Sequence, residues 1–268
     1  MKNKIRGEFI LKFLIVGDVC GRPGREAFRK YVPELKKEHN IDVVVVNGEN
    51  IAGGRGISRK TLDEIYRAGA DIVTSGNHIW DQKEIVSFID DEPFLIRPAN
   101  YPEGAPGKGY CIYPFKAKNI GVINVSGRTF MPPMDCPFQK VDEILKEIKN
   151  PCDIILVDIH AEATSEKIAM GFYLDGKVTC VVGTHTHVQT ADNRILPKGT
   201  AYISDLGMVG PYNSSLGINV NNAIDKFITC RPVRFEMAEG PNIFSAVVLE
   251  LAEDNSVKSF ERILFNEE

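Results

Sequence analysis

The sequence has a single tryptophan, only five histidines and no C-x-x-C pair. Its six cysteines, Cys20, Cys111, Cys136, Cys152, Cys180 and Cys230, are scattered. Scatter in a chain of this length excludes a disulfide framework and a zinc ribbon. It reads as reduced thiols, the expectation for a cytoplasmic protein. No apolar run approaches the roughly 18 residues of a membrane span, so no membrane partner is expected. The start has lysines before an apolar stretch, like a signal peptide. But Lys12 breaks that stretch and Gly17-Asp18 ends it without a small-residue cleavage site, so export is not expected.

No block of five like charges occurs either. Thirty-two basic residues against 36 acidic ones leave a net charge of −4. That balance gives no general affinity for nucleic acid, which is not expected as the main partner. Apolar residues at 43% and charged residues at 25% exclude disordered, collagenous and coiled-coil chains. The 268 residues suffice to bury a core.

What is present is a series of short, apolar, β-branched runs. Residues 13–16, 43–46, 72–74, 120–125, 154–158, 180–182 and 201–203 read as buried strands. Helical segments alternate with them: 25–38 with Pro33 inside, 58–68 behind the N-cap Ser58, 83–89 and 139–149. The alternation predicts an α/β fold with covered sheet faces. Residues 242–252 and 257–266, joined by Glu253-Asp254-Asn255-Ser256, read as an antiparallel hairpin, which makes the sheets mixed. Segments 97–115 and 205–241 are rich in Gly, Pro and Asn and read as long functional loops or a small insertion, not as linkers. No repeat and no linker divides the chain, so residues 1–268 are expected to form a single domain.

Four of the five histidines end or follow an apolar strand. Asp18, Glu49-Asn50, Asn77-His78, His160 and the pair His185 and His187 occupy five such ends. Ligands of α/β sheets bind outside the carboxyl ends of the strands, so these groups face one crevice. Nitrogen and oxygen donors without thiolate suit Mn, Fe or Zn. Seven candidate ligands exceed one tetrahedral ion and suit two ions sharing a carboxylate.

Each piece has a plainer reading. Asp18 could cap a helix, Glu49-Asn50 could be a turn, and His160 could be a satisfied core histidine. In Thr184-His185-Thr186-His187, alternate residues of an extended chain would point both imidazoles the same way. His39, in a polar stretch, reads as a solvated helix end. Gly17-x-x-x-Gly21-x-x-Gly24 imitates a dinucleotide loop, but that reading leaves four histidines unexplained.

Gly17-Asp18, Asn47-Gly48-Glu49-Asn50, Gly76-Asn77-His78, Asp158-Ile159-His160 and Gly183-Thr184-His185-Thr186-His187 appear in the order of the metal motifs of the calcineurin-like metallophosphoesterase superfamily, which the chain resembles. Asp18-Val19-Cys20 stands where the superfamily has D-x-H, and Glu49 where it has a bridging Asp. Both departures, with residues 160–167, 184–192 and 205–211, are similar to the YmdB-type bacterial subgroup.

The resemblance implies a four-layer α/β sandwich, two mixed β-sheets flanked by helices. It implies two divalent metal ions, Mn or Fe ahead of Zn. One would be held by Asp18, Glu49, Asn50 and His187, the other by Glu49, Asn77, His160 and His185. It further implies phosphodiesterase activity on 2′,3′-cyclic nucleotides.

The expected mechanism is in-line attack of a metal-bridging hydroxide, with His78 as general acid and Asp81 either orienting His78 or capping the helix from Lys83. The alternative is a regulatory nucleotide- or RNA-binding protein on the same fold with weak catalysis. A homo-oligomer is compatible with either.

Overall fold

A computed structural model describes residues 10–267. Residues 1–9, which carry the lysines of the export reading, lie outside the described residues. The first half of the chain runs β1 (Leu11–Val16), β2 (Asp18–Val19), α1 (Gly21–His39), β3 (Val43–Asn47), α2 (Arg59–Arg67), β4 (Ile72–Thr74), two 3₁₀ turns (Lys83–Ser87 and Ile89–Asp91), β5 (Tyr110–Phe115) and β6 (Lys118–Ser126). The second half runs α3 (Pro137–Ile148), β7 (Ile154–His160), α4 (Thr164–Leu174), β8 (Cys180–Thr184), β9 (Arg194–Ile195), β10 (Ala201–Ile203), β11 (Met208–Pro211), α5 (Val220–Thr229), β12 (Asn242–Leu251) and β13 (Val257–Asn266).

Two mixed sheets result. In the first, β1, β3 and β4 are parallel neighbours. β12 runs antiparallel to β1, β11 and β13. In the second, β6, β7, β8 and β10 are parallel, with β5 and β9 as antiparallel edges. The β-branched run of β3 is buried along its whole length, as a strand covered on both faces must be.

Side-chain alternation sorts each strand between two cores. On β1, Leu11, Phe13 and Ile15 face the second sheet and meet Leu156 and Val182 there. Leu14 and Val16 face outward and pack with Phe28, Val32, Leu62 and Ile65 of α1 and α2. On β7, Ile155, Val157 and Ile159 pack against α3 and α4. The order helix, sheet, sheet, helix is the four-layer sandwich expected from the sequence.

Ser58 caps α2 as expected. Its hydroxyl accepts the Thr61 N–H at 3.2 Å, and Thr61 Oγ1 accepts the Ser58 N–H at 3.0 Å. His39 ends α1, half-buried.

Other expectations need correction. The helix expected over 83–89 is two 3₁₀ turns, broken at Phe88 with φ −140°. Segment 97–115 contains β5, and 205–241 contains β11 and α5, so glycine and proline there connect ordered elements. Helix α4 carries no clear apolar stripe because its buried side includes Lys167 and Gly171, while Phe172 and Tyr173 are exposed. Its Gly171 leaves room for the Tyr202 ring, 2.4 Å from where a Cβ would stand.

The glycines after β1 serve close approach. A Cβ on Gly17 would lie 2.0 Å from Gly207 O, and one on Gly24 2.3 Å from Val209 O. All six cysteines are free. Among the described residues no helix is long and apolar enough to cross a membrane.

Gly183 in β8 is held most tightly, with Ser204 O 1.8 Å from an added Cβ. Gly183→Ala should force β8 from the segment after β10 and cost about 1–3 kcal/mol. Thermal unfolding checks this, and an unchanged midpoint would contradict it.

Candidate metal centre

The inter-sheet layer turns from apolar to polar at the carboxyl ends of its strands. Val43 and Val45 are followed on the same face of β3 by Asn47, and Ile72 of β4 by Thr74. On β7, Ile154 and Leu156 lead to Asp158 and His160, and on β8 Val182 leads to Thr184. Asp158 ties the two sheets together there. It accepts Thr74 Oγ1 at 2.5 Å, Thr184 Oγ1 at 2.8 Å and Asn47 Nδ2 at 3.3 Å.

Two donor groups meet above this layer. Their ligand atoms lie within 4.8 Å of one another: Glu49, His160 and His185 in one, Asp18, Glu49 and His187 in the other. Glu49 belongs to both. In the first, His160 Nε2 faces Asn77 Oδ1 at 3.0 Å, His185 Nδ1 at 3.0 Å and Glu49 Oε2 at 3.2 Å. In the second, His187 Nε2 faces Asn50 Nδ2 at 3.2 Å and Asp18 Oδ1 at 3.8 Å.

The far nitrogen of each imidazole is occupied. His160 Nδ1 donates to Thr184 Oγ1 at 2.9 Å, and that hydroxyl donates on to Asp158. His185 Nε2 meets Glu162 Oε2 at 3.1 Å, and His187 Nδ1 meets Leu216 O at 3.1 Å. Such partners fix the tautomer and leave the inward nitrogen as a lone-pair donor.

The structure therefore brings the seven residues expected as ligands close together, Asn77 beside His160 of the first group and Asn50 beside His187 of the second. Asn50 turns its Nδ2 inward, also donating to Glu49 Oε1 at 3.1 Å, so its amide must turn over to offer oxygen. The helix-cap reading of Asp18 fails. α1 begins behind Cys20 without a side-chain cap, and Asp18 Oδ2 accepts the His185 N–H at 3.2 Å. Asp18 Oδ1 is buried with no hydrogen-bond partner among the described residues. A buried, unsatisfied carboxylate oxygen beside two imidazole-lined groups is what a cation would satisfy. All donors are nitrogen or oxygen, which fits Mn, Fe or Zn. Cys20 Sγ sits 3.6 Å from His187 Nδ1, on the ring edge turned away from the cluster, and belongs to neither group.

The extended-chain reading of residues 184–187 is also corrected. β8 ends at Thr184, and His185 and His187 take left-handed conformations with φ of 101° and 64°. The two rings consequently reach different donor groups. Asp205 holds the strained segment by accepting Thr186 N–H at 3.1 Å and Thr186 Oγ1 at 2.7 Å on Oδ2. The buried Lys167 ammonium neutralises the same oxygen at 2.7 Å.

Burial and mutual charge shift Asp18, Glu49 and three histidines. Burial weighs most on Asp18 and raises its carboxyl to about 7. Burial also pulls at His160, but Glu49 outweighs it and lifts the imidazole to about 9. Burial and then His160 push His185 down to about 3. Burial opposes charge on His187, yet Cys20, Asp18 and Glu49 together raise it to about 10. Burial works against the charged form of Glu49, but His160 and His78 hold it well below the usual carboxylate range.

His78 stands beside this cluster. Its backbone N–H donates to Glu49 Oε2 at 3.1 Å, and its Nδ1 pairs with Asp81 Oδ2 at 2.9 Å. Asp81 does not cap the following turn, which begins behind Gln82. Asp158, Glu162, Lys167 and Asp205 enter the sequence reading only within the family-like stretches, with no part assigned to any of them. Asp158 was legible, two residues before His160 on one strand face. Lys167 and Asp205 lie 38 residues apart and leave no local signal.

Fold and donor set together define a metallophosphoesterase, a hydrolytic enzyme. The model of the YmdB-like protein family matches residues 14–263, and the chain belongs to that family. It is 51% identical over 260 residues to the 2′,3′-cyclic-nucleotide 2′-phosphodiesterase of Bacillus subtilis (strain 168), covering 96% of this chain and 98% of that protein. The crystal structure of a Mycoplasma pneumoniae phosphatase superposes with a TM-score of 0.92 at 35% identity, covering 97% of this chain and 95% of that one. The crystal structure of a hypothetical protein from Thermus thermophilus superposes with a TM-score of 0.91 at 40% identity, covering 96% of this chain and 100% of that one.

The Thr186–Asp205 hydrogen bonds yield a prediction. Thr186→Val should weaken divalent-metal binding on the order of 10- to 100-fold, as losses of such supporting contacts do, while Thr186→Ser should retain it. Calorimetric titration with Co²⁺ measures both, and wild-type affinity in Thr186→Val would contradict the clamp.

Proposed function

We propose that this protein is a dinuclear metal-dependent phosphodiesterase that opens 2′,3′-cyclic nucleotides. The observation that carries the reading is the pair of donor groups sharing Glu49, with the His78–Asp81 pair beside them. The named activity of the Bacillus subtilis relative supports the choice of substrate.

Asp18, Glu49, Asn50 and His187 would hold one cation, and Glu49, Asn77, His160 and His185 the other. When bound, two such cations clamp phosphoryl oxygens and lower the pKa of a shared water. Mn or Fe fits this donor set ahead of Zn. The protein's own part in proton transfer falls to His78. Asp81 holds its Nδ1, which leaves Nε2 to deliver a proton to the departing ribose oxygen. The bond from the His78 N–H to Glu49 ties the acid's backbone to the shared carboxylate. Buried Glu49 and Asp18, flanked by imidazoles, present no exposed charge to repel the anionic substrate.

A single core between the two sheets supports reading residues 1–268 as one domain. Free thiols support a cytoplasmic setting.

A panel of 2′,3′-cyclic, 3′,5′-cyclic and linear phosphodiesters, assayed with Mn²⁺-loaded protein, tests the reading. Turnover should be fastest on the 2′,3′-cyclic ring. No turnover of any diester would leave the nucleotide-binding alternative. His78→Ala should keep its metals and lose on the order of 10²–10⁴-fold in kcat on the cyclic nucleotide. It should lose far less on bis-p-nitrophenyl phosphate, whose leaving group needs no proton. Equal losses on both would remove His78 from the acid's role.

A further inference from the structure

The segment between β6 and α3 lies at the same edge of the sheets as the metal centre. Gly127, the first residue after β6, donates its N–H to the His160 carbonyl at 2.9 Å. The segment is closed at its base by the buried Asn100. Asn100 Nδ2 donates to Ser126 O at 2.8 Å and to Asp135 O at 2.9 Å, and its Oδ1 accepts the Ser126 N–H at 2.8 Å. Glu166 of α4 holds the middle. It accepts the Arg128 N–H at 3.0 Å and the Thr129 N–H at 3.2 Å. Gly127 has no room for a side chain, since a Cβ would stand 2.5 Å from that of Ala161 and 2.6 Å from Glu166 Oε2.

A backbone tied down at so many points carries an aromatic ring at its tip. Phe130 has a φ of 61°, a conformation that bulky side chains rarely adopt. Its ring is 90% exposed. A lone exposed apolar residue is ordinary on a surface. One in a strained conformation, on a segment bonded to the backbone of His160, is a different matter, because such strain persists only where the surroundings impose it. Phe130 is three positions beyond Gly127, so its Cα stands no more than about 11 Å along the chain from the contact with His160. A nucleotide whose phosphate lies over the metal cluster would carry its base outward across such a gap.

We propose that Phe130 is the platform on which the base of the nucleotide stacks, and that it sets the preference for nucleotides over base-free diesters. The inference rests on the nucleotide reading given above. Stacking uses the π-face common to all bases, so purines and pyrimidines should both be accepted. Preorganisation by Asn100 and Glu166 means that the ring need not be ordered on binding.

The test compares 2′,3′-cyclic AMP with ribose 2′,3′-cyclic phosphate, which lacks the base, on Mn²⁺-loaded wild type, Phe130→Ala and Phe130→Trp. Phe130→Ala should raise KM for the nucleotide on the order of tenfold with kcat little changed. It should leave both constants for the base-free ring as they are, and Phe130→Trp should restore the nucleotide KM. Metal content and oligomeric state are measured beside the kinetics. Equal losses on both substrates, unchanged kinetics on both, or a change confined to oligomeric state would overturn the proposal. Wild type that opens the base-free ring as well as the nucleotide, with Phe130→Ala unaltered, would sink the stacking role and leave the phosphodiesterase standing. Wild type inactive on both would instead sink the substrate reading, and the stacking role with it.

Discussion

Glu49 is a carboxylate with 1% of its surface exposed and a place in both donor groups. A buried charge is costly unless it is paired or coordinates a cation. The surroundings of Glu49 serve that need. His160 lies 3.2 Å from its Oε2, the His78 N–H donates to the same oxygen, and Asn50 donates to the other. Even the glycine facing it is fixed by this arrangement. A Cβ on Gly76 would stand 2.4 Å from Glu49 Oε2 and 2.3 Å from His160 Nε2. The two sheets are brought together so that β3 of one and β7 of the other end against this carboxylate.

The supporting contacts extend away from the cleft in three directions. Thr184 passes the His160 proton contact to Asp158, which also bonds Thr74 and Asn47 of the opposite sheet. Asp205, neutralised by Lys167, holds Thr186 between two histidines with positive φ. Glu162 receives the outer nitrogen of His185. Together they orient His160, at the end of β7, and His185 and His187, in the turn after β8, toward the acids and amides of the cleft. Orientation of this kind holds imidazole nitrogens ready for a cation, while the Asn50 amide has still to turn over.

Much of this was legible in the sequence, because period-two burial and strand-end chemistry are local. The strand runs at 13–16, 43–46, 72–74, 120–125, 154–158, 180–182 and 201–203, the hairpin of β12 and β13, the Ser58 cap and the seven residues that gather at the cleft could be read from short stretches. What could not be read depends on contacts distant in sequence. Asp205 and Lys167 meet only through the packing of α4 on β8 and the segment after β10. Helix α4 hid its apolar face because Tyr202 crosses it at Gly171. The left-handed turns at His185 and His187 were misread as extended chain, since nothing in Thr184-His185-Thr186-His187 signals them without the Asp205 anchor. Segments 97–115 and 205–241 looked like loops because glycine and proline there mark the joints of β5, β11 and α5.

The proposed sharing of Glu49 between two cations is central, and metal stoichiometry tests it most directly. Wild type, Glu49→Gln, Asp18→Asn and His160→Gln would be loaded with Mn²⁺, dialysed and analysed for bound metal, with circular dichroism to verify folding. Wild type should hold about two ions per chain, Asp18→Asn and His160→Gln about one each, and Glu49→Gln almost none, as expected when one carboxylate serves both ions. Full occupancy of Glu49→Gln, or loss of a single ion from it, would contradict the shared carboxylate.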